Sequence, residues 1–260
     1  MTAAIGKVAA LFRHPVKGFT PEPVDAVTLE AGQTFPNDRL FAIENGPSGY
    51  DPNQPRHISK QKFTVLARQA SVANLSTRYD DASGVFHVTF PEGQMKGYDL
   101  GLEDGRVQLA CDLSHYFGDA FEGPLKVVEG AQTHRFTDHP KGQVSLLNLA
   151  SLDAVNEAMS YPVSVARFRM NVYVEGLAAW EEDQWQPGDR IRLGEAELVF
   201  LTHTVRCKAT HANPETGEYD RDLVSDLFRH FERNTFGIYA QVVKGGRVQS
   251  GDDVEVQRVL

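Results

Sequence analysis

The chain has 260 residues, of which 41% are hydrophobic and 23% charged, and a formal net charge of −9. That length buries one large core or two small ones, and the acidic balance argues against nucleic acid as a partner, because phosphate binding needs a basic surface. With only Cys111 and Cys207, the chain is no disulfide scaffold and cannot supply the four thiolates of an all-cysteine iron–sulfur cluster.

The first segment, MTAAIGKVAALF, lacks a long apolar core followed by a small-residue cleavage site, and no later stretch reaches the apolar length of a membrane span. A cytoplasmic protein with no membrane partner is expected. Lys7 to Arg13 predicts a strand ended by His14-Pro15, and Pro15 to Gly18 a turn. Val24 to Leu29 and Arg39 to Ile43 predict strands separated by the breaker Phe35-Pro36-Asn37-Asp38. A polar loop follows over Gly46 to Pro55. Val65 to Leu75, Val85 to Phe90 and Arg106 to Leu109 are expected strands, and Asp112 to Phe121 a short helix with Asp112 near its N-cap. Short strands with frequent turns predict a barrel or sandwich.

Gly123-Pro124 marks a junction. Beyond it, Asn148 to Met159 predicts a helix capped by Asn148, with Leu149, Leu152, Val155 and Met159 at helical spacing. Phe168 to Val174 and Arg190 to Leu193 are expected strands, and Gly194-Glu195 turns the chain into Ala196 to Leu201 as a hairpin. Asp222 to Arg233 predicts a third helix, with closing strands at Ile238 to Val243 and Val254 to Arg258. No repeat, linker or Gly-rich dinucleotide fingerprint is present.

Chemistry concentrates in Val199 to Gly217, VFLTHTVRCKATHANPETG. An apolar run leads into Arg206-Cys207, and Asn213 to Gly217 carries turn chemistry, which places Cys207 near the C-terminal end of a strand. Arg206 beside it favours a thiolate, if the two side chains meet, and a thiolate is both nucleophile and soft metal ligand. The alternatives are a buried small hydrophobe, or a zinc site of His203, Cys207 and His211. An extended chain holds the outer two histidines too far apart for one ion unless it bends.

This stretch resembles the signature of the MOSC family, the molybdenum cofactor sulfurase C-terminal domain, and in particular its amidoxime-reducing branch. There, Arg-Cys followed by Thr and Asp-Pro-x-Thr-Gly carries the cysteine that binds molybdenum. The chain matches at Arg206, Cys207, Thr210, Pro214, Thr216 and Gly217, and departs at His211 and Asn213. HPVKG with Lys17, NDRLF with Arg39, SKQKFTVL with Lys60 and RFRMN with Arg167, Arg169 and Asn171 resemble further family segments. Departures are Gly18, Met170 and Lys60 itself, which stands where the family has Arg.

The resemblance implies a mainly β fold with short helices (α+β): an N-terminal β-barrel domain over residues 1–122 and a MOSC β-barrel domain over 123–260. It also implies a molybdenum cofactor, a pterin bearing a dithiolene and a phosphate. Cys207 would ligate molybdenum, Lys17, Arg39 and Arg169 would hold the cofactor, and Asn171 would offer its amide to the pterin. Arg206 and Thr210 flank the cysteine, and Lys60, Arg167 and Ser145 are further candidates. The implied function is oxidoreduction of N-hydroxylated or other N–O and S–O compounds by oxygen-atom transfer. The alternative is a non-catalytic carrier of cofactor or sulfur through Cys207, and pyridoxal phosphate is a wider family association. With no iron–sulfur or dinucleotide site of its own, the chain would need a separate electron-donor protein. Its acidity predicts a docking face rich in Asp and Glu near the cleft.

Overall fold

The computed structural model describes residues 4–131, 134–159 and 161–259. In chain order the elements are β1 (Ala4–Arg13), β2 (Glu22–Val24), β3 (Ala26–Leu29), β4 (Phe41–Asn45), β5 (Ser76–Asp80), β6 (Val85–Thr89), β7 (Met95–Asp99) and α1 (Glu103–Phe117). There follow β8 (Leu125–Glu129), β9 (Val144–Asn148), α2 (Leu149–Met159), β10 (Val172–Glu175), β11 (Arg190–Leu193) and β12 (Ala196–Val205). The last are α3 (Leu223–Phe231), β13 (Thr235–Lys244), β14 (Gly246–Gln249) and β15 (Asp253–Gln257).

Seven strands form a closed barrel in the order β10-β9-β13-β12-β11-β15-β1, and β1 closes it by pairing again with β10. Only β9 and β10 run parallel, and α2 connects them, as a parallel pair requires a crossover. Val8, Leu146, Val172, Ile191, Leu198, Ile238 and Val254 fill the interior. They are apolar residues at the two-residue period that points alternate side chains inward. β1 comes from the N-terminal segment, yet it is a stave of a barrel otherwise built from residues beyond 123.

The second core lies around Phe19, Phe41, Leu75, Phe86, Tyr98 and Leu113. The β5–β6–β7 meander and the β4–β8 pair bound it, and α1 packs on both β7 and β8. The whole is mainly β with three helices, the fold class expected.

Several boundaries differ from expectation. Residues 106–109 lie inside α1, which begins at Glu103. Leu109, Leu113 and Phe117 recur every four residues and make one buried stripe, which outweighs the local strand pattern. Asp112 is therefore not a cap; its Oδ2 accepts from the Tyr98 hydroxyl at 2.6 Å. Val65 to Leu75 is turn and 3-10 structure rather than strand. Phe168 to Asn171 is irregular, and only Val172 onward pairs. β5, β7, β8, β9 and β14 were not foreseen. Asn148 does cap α2, its Oδ1 accepting from Ala150 N–H at 3.1 Å, and Asp222 caps α3 through Ser225 N–H.

Candidate functional site

The register of β12 against β13 shifts at Phe200/Thr202 and again at His203/Val205. Such bulges twist a strand and re-aim its end. The chain then leaves the barrel at Arg206, and Cys207 sits partly exposed at the head of a 3-10 turn, Lys208–His211. Thr210 fixes that turn twice over, its N–H and its hydroxyl each donating to the Cys207 carbonyl at 3.0 Å. The Asn213 side chain accepts from Glu215 N–H, and Gly217 N–H closes back on the Asn213 carbonyl. Gly217 has φ +64°, and a Cβ there would fall 2.0 Å from Asn74 Oδ1. The turn must therefore carry glycine to seat against the other lobe.

Cys207 opens into a cleft between the lobes, lined by six cations and two carboxylates: Lys17, Arg39, Lys60, Arg167, Arg169, Arg206, Asp38 and Asp138. Gly18 shapes its edge, with φ +92° and the position of a Cβ only 2.7 Å from the Thr64 carbonyl. The cation nearest the sulfur is Lys60, whose Nζ donates to Sγ at 3.2 Å and to Asp138 Oδ2 at 3.2 Å. Burial works against the Lys60 charge, but Asp138 and the sulfur outweigh it and raise its pKa. Lys17 donates to the Phe136 carbonyl at 2.8 Å and pairs with the other Asp138 oxygen. Burial resists ionisation of Asp138, yet Lys17 and Lys60 together hold its carboxyl well below the usual range.

Deeper in, Arg39 pairs with Asp38 and donates from Nη2 to the Arg169 carbonyl at 2.9 Å. Asp38 Oδ1 also receives His14 N–H at 2.8 Å and lies 3.1 Å from His14 Nδ1. Asp38 is held at about 2 against its burial, chiefly by Arg39. His14, fully buried, is pushed down to about 3 by burial and then by Arg39. Arg169 differs from its neighbours: its Nη2 is covered and has no hydrogen-bond partner among the described residues. Burial, then repulsion from Arg39, push its pKa down to about 9. Asn37, Arg39 and Arg169 all adopt positive φ, at 54°, 51° and 54°. That conformation costs a non-glycine residue about 1 kcal/mol or more, and such strain clusters at functional sites.

The structure brings all ten expected residues, Lys17, Arg39, Lys60, Ser145, Arg167, Arg169, Asn171, Arg206, Cys207 and Thr210, to the lining of one cleft, and several of them spend their polar atoms on bracing its walls. Ser145 donates from N–H and Oγ to Asn171 Oδ1, at 3.1 and 2.8 Å, and Asn171 Nδ2 donates to the Phe12 carbonyl at 3.2 Å. The pair braces the floor of the cleft. Arg167 holds the cysteine turn from behind, donating to the His211 carbonyl at 3.0 Å and pairing with Asp220 at 2.7 Å. Arg206 does not reach the thiol. It is buried, donates to the Phe236 and Phe168 carbonyls and stacks over the Phe168 ring. Its expected place beside the sulfur belongs to Lys60.

The histidines do not converge on Cys207 either. His203 Nε2 meets the Glu182 carbonyl at 2.9 Å and His211 faces Asp222 at 3.2 Å, and the described residues hold no group of three metal-ligating side chains. Sequence reasoning missed Asp138, Tyr239 and Thr204. Asp138 stands in a turn-rich run, THRFTDHPKG, where an acid ordinarily signals only a loop. Thr204 lines the cleft with a covered hydroxyl that has no partner among the described residues.

A phosphate-bearing, sulfur-ligated cofactor suits this donor set. A partly exposed thiol supplies a soft ligand. Arg169 supplies a guanidinium nitrogen with nothing to bind, and buried donors left unmatched are costly unless something meets them. Thr204 supplies a hydroxyl in the same condition.

The sequence matches the MOSC domain over residues 133–255 and the MOSC N-terminal beta barrel domain over residues 5–123. Over 123 residues it is 32% identical to mitochondrial amidoxime reducing component 2 of Bos taurus, covering 43% of this chain and 36% of that protein. The alignment thus spans about a third of that relative's length. Against mitochondrial amidoxime-reducing component 1 of Homo sapiens it is 27% identical, covering 96% of this chain and 82% of that protein. Among solved structures, the YUAD protein from Bacillus subtilis superposes with a TM-score of 0.53 at 15% identity, over 100% of this chain and 99% of the other, a likeness of fold. Matched by both family descriptions in turn along nearly its whole length, the chain belongs to the MOSC family.

Proposed function

We propose that this protein is a molybdenum-cofactor-dependent reductase of N-hydroxylated or related N–O and S–O compounds. The observation that carries the reading is the meeting, in one cleft, of the Cys207 thiol and the unmatched guanidinium of Arg169. Similarity to amidoxime-reducing components supports the substrate class.

In this reading Cys207 Sγ is the protein's ligand to molybdenum, and Arg169, Arg39 and Lys17 hold the phosphate. Guanidinium suits phosphate because its fork matches two oxygens at once. When bound, the cofactor supplies the two-electron redox chemistry. Reduction of an N-hydroxyl consumes two electrons and two protons, breaks the N–O bond, and yields the N–H compound and water. The chain's part is to position and to protonate. Lys60 Nζ lies 3.2 Å from both Sγ and Asp138, so a proton-bearing group stands at the reacting end of the cleft. Asp38, itself held by His14, pairs with the Arg39 side chain, and the His14 carbonyl accepts Arg39 N–H at 2.7 Å.

The test is metal and pterin analysis of protein made in a cofactor-producing host, followed by assay of an N-hydroxylated amidine with dithionite. About one Mo and one pterin per chain is expected, as one thiolate serves one metal. Cys207→Ser should fold normally and lose turnover by at least about a hundredfold, a hydroxyl being a harder and far less acidic ligand. Cofactor retained without turnover of any N–O or S–O compound would favour the carrier.

A further inference from the structure

The β4–β8 pair has one edge without a neighbouring strand. Gly46 N–H donates to the Pro124 carbonyl and Gly130 N–H to the Leu40 carbonyl. Even-numbered residues therefore bond across the pair, and odd-numbered residues turn their N–H and C=O outward. On β4 the outward groups are used. Phe41 N–H donates to the Pro15 carbonyl at 3.0 Å, and the Phe41 and Ile43 carbonyls accept Lys17 N–H at 2.8 Å and Thr64 N–H at 2.7 Å. On β8 the outward groups of Leu125, Val127 and Glu129 have no hydrogen-bond partner among the described residues. Yet Leu125 and Val127 are only 9% and 4% exposed, and buried backbone groups in folded proteins are nearly always paired.

A groove of about 1040 Å³ follows this edge, and it shares no lining residue with the Cys207 cleft. Its floor runs unbroken from Pro124 to Ala131. One wall is α1, where Glu103, Val107 and Cys111 lie beside Arg106, Ala110 and Ser114 in two rows at four-residue spacing. Val107 leaves 56% of its surface uncovered there. The other wall holds Tyr50, Pro52 and Arg135. Leu125 and Val127 pack toward α1 and Val128 toward Tyr50, so the groove straddles both faces of the pair. The walls differ in charge. Glu129 pairs with Arg106 of α1 at 3.5 Å, and Glu103 stands exposed at the helix start. On the Tyr50 side are Lys126 and Arg135, with no carboxylate among the described lining residues. Asp51 accepts Asn53 N–H at 2.9 Å instead, and Glu44, opposite Lys126 on β4, accepts Ser48 N–H at 3.3 Å. Lys126 is exposed and has no ion pair among the described residues.

We propose that this groove binds an extended peptide segment of a partner protein as a further strand on β8, with apolar side chains toward α1 and acidic side chains toward Lys126 and Arg135. An added strand gives Leu125, Val127 and Glu129 the hydrogen bonds they lack, and its side chains alternate between the two walls. That alternation sets the chemistry: one set of side chains meets Val107, Ala110 and Cys111, and the other meets the uncompensated Lys126. The groove is as large as the largest pockets for small ligands, and its floor is a strand edge. Walls on both sides admit a single strand and block the flat approach by which two copies pair edge to edge. The inference does not depend on the reductase reading, because no residue is shared with that site.

The experiment uses the full chain and, as probe, the end-capped peptide Thr-Val-Glu-Val-Glu-Val-Thr. Wild type should bind it with a Kd below about 1 mM. Amide hydrogen exchange at Leu125, Val127 and Glu129 should slow by about tenfold or more as peptide is added, while Lys126 and Val128, already paired with β4, should not change. Two further peptides carry N-methyl groups at alternate residues, one in each phase. An added strand turns alternate N–H groups toward β8, so one phase should lose about tenfold or more in affinity and the other should bind like the parent. Lys126→Glu should weaken the glutamate peptide by about threefold or more and favour its lysine counterpart. Absence of binding at that peptide concentration, or the same effect from both methylated phases, overturns the proposal. So does exchange at the three β8 amides that is already slow without peptide. Exchange there that slows with protein concentration alone also overturns it, and assigns the edge to a second copy of the chain. Unchanged affinity in Lys126→Glu overturns the acidic character of the partner segment.

Discussion

Arg169 and Arg206 lie in the same cleft, and their surroundings predict opposite behaviour. Arg206 satisfies two buried carbonyls, Phe236 and Phe168; Arg206→Met leaves both without donors, at about 1–3 kcal/mol each. Arg169 is less readily protonated in the fold than in the unfolded chain, so at neutral pH its charge costs stability. Arg169→Met should therefore melt at or above the wild-type temperature as apoprotein. It should lose pterin retention, by an affinity corresponding to about 1.5–3 kcal/mol for a charged hydrogen bond. Melting curves set beside pterin content decide the matter; early unfolding of Arg169→Met with normal pterin would make that arginine structural. His14 yields a prediction in pH. Its folded pKa, about 3, lies below its ordinary 6.5, so the unfolded chain binds the proton more tightly. Stability present above pH 6.5 is lost as pH falls toward 3, at up to about 1.4 kcal/mol per pH unit. Denaturant midpoints at pH 7 and pH 5 should move less in His14→Gln than in wild type. What could be foreseen at this scale was the thiol at a strand end, which VRC before NPETG announced. The partner of that thiol was not legible, because adjacency in sequence pointed to Arg206, whereas a strand end sends neighbouring side chains to opposite sides.

At the scale of elements, the hairpin over Arg190 to Leu201 and helices α2 and α3 were readable from turn chemistry, caps and periodicity. The failures lie where packing overrides local pattern. α1 begins at Glu103, well ahead of the expected start, and its buried residues Leu109, Leu113 and Phe117 lie on the helix that packs on β7 and β8. β9 was hidden because all five of its residues are buried, which erases alternation. The turn after Cys207 carries the prediction that belongs here. Gly217→Ala places a methyl group against Asn74 at a backbone angle alanine resists. A loss of about 1–3 kcal/mol is expected, together with weaker cofactor retention, since this turn seats Cys207 against the other lobe. If Gly217→Ala matches wild type in both chemical denaturation and pterin content, the turn does not position the site.

Over the whole molecule, the mainly β class was legible from turn density, but the closure of the barrel was not. Nothing in the KVAALFR segment says that its partners are β10 and β15, because strand pairing is a property of the assembled sheet. A fragment beginning at residue 123 should therefore be missing one stave, exposing two strand edges that invite association. Such a fragment should be oligomeric by light scattering, and a synthetic peptide of residues 4–13 added in trans should return it to a monomer. A monomeric fragment that ignores the peptide would contradict this. In the cell the same pairing imposes an order of events. Ala4 lies across from Val256, so β1 leaves the ribosome well before β15 and must wait for it before its barrel can shut. During that wait the apolar face of β1 has no permanent cover, and the nascent chain depends on a chaperone or on its own first lobe to shield it.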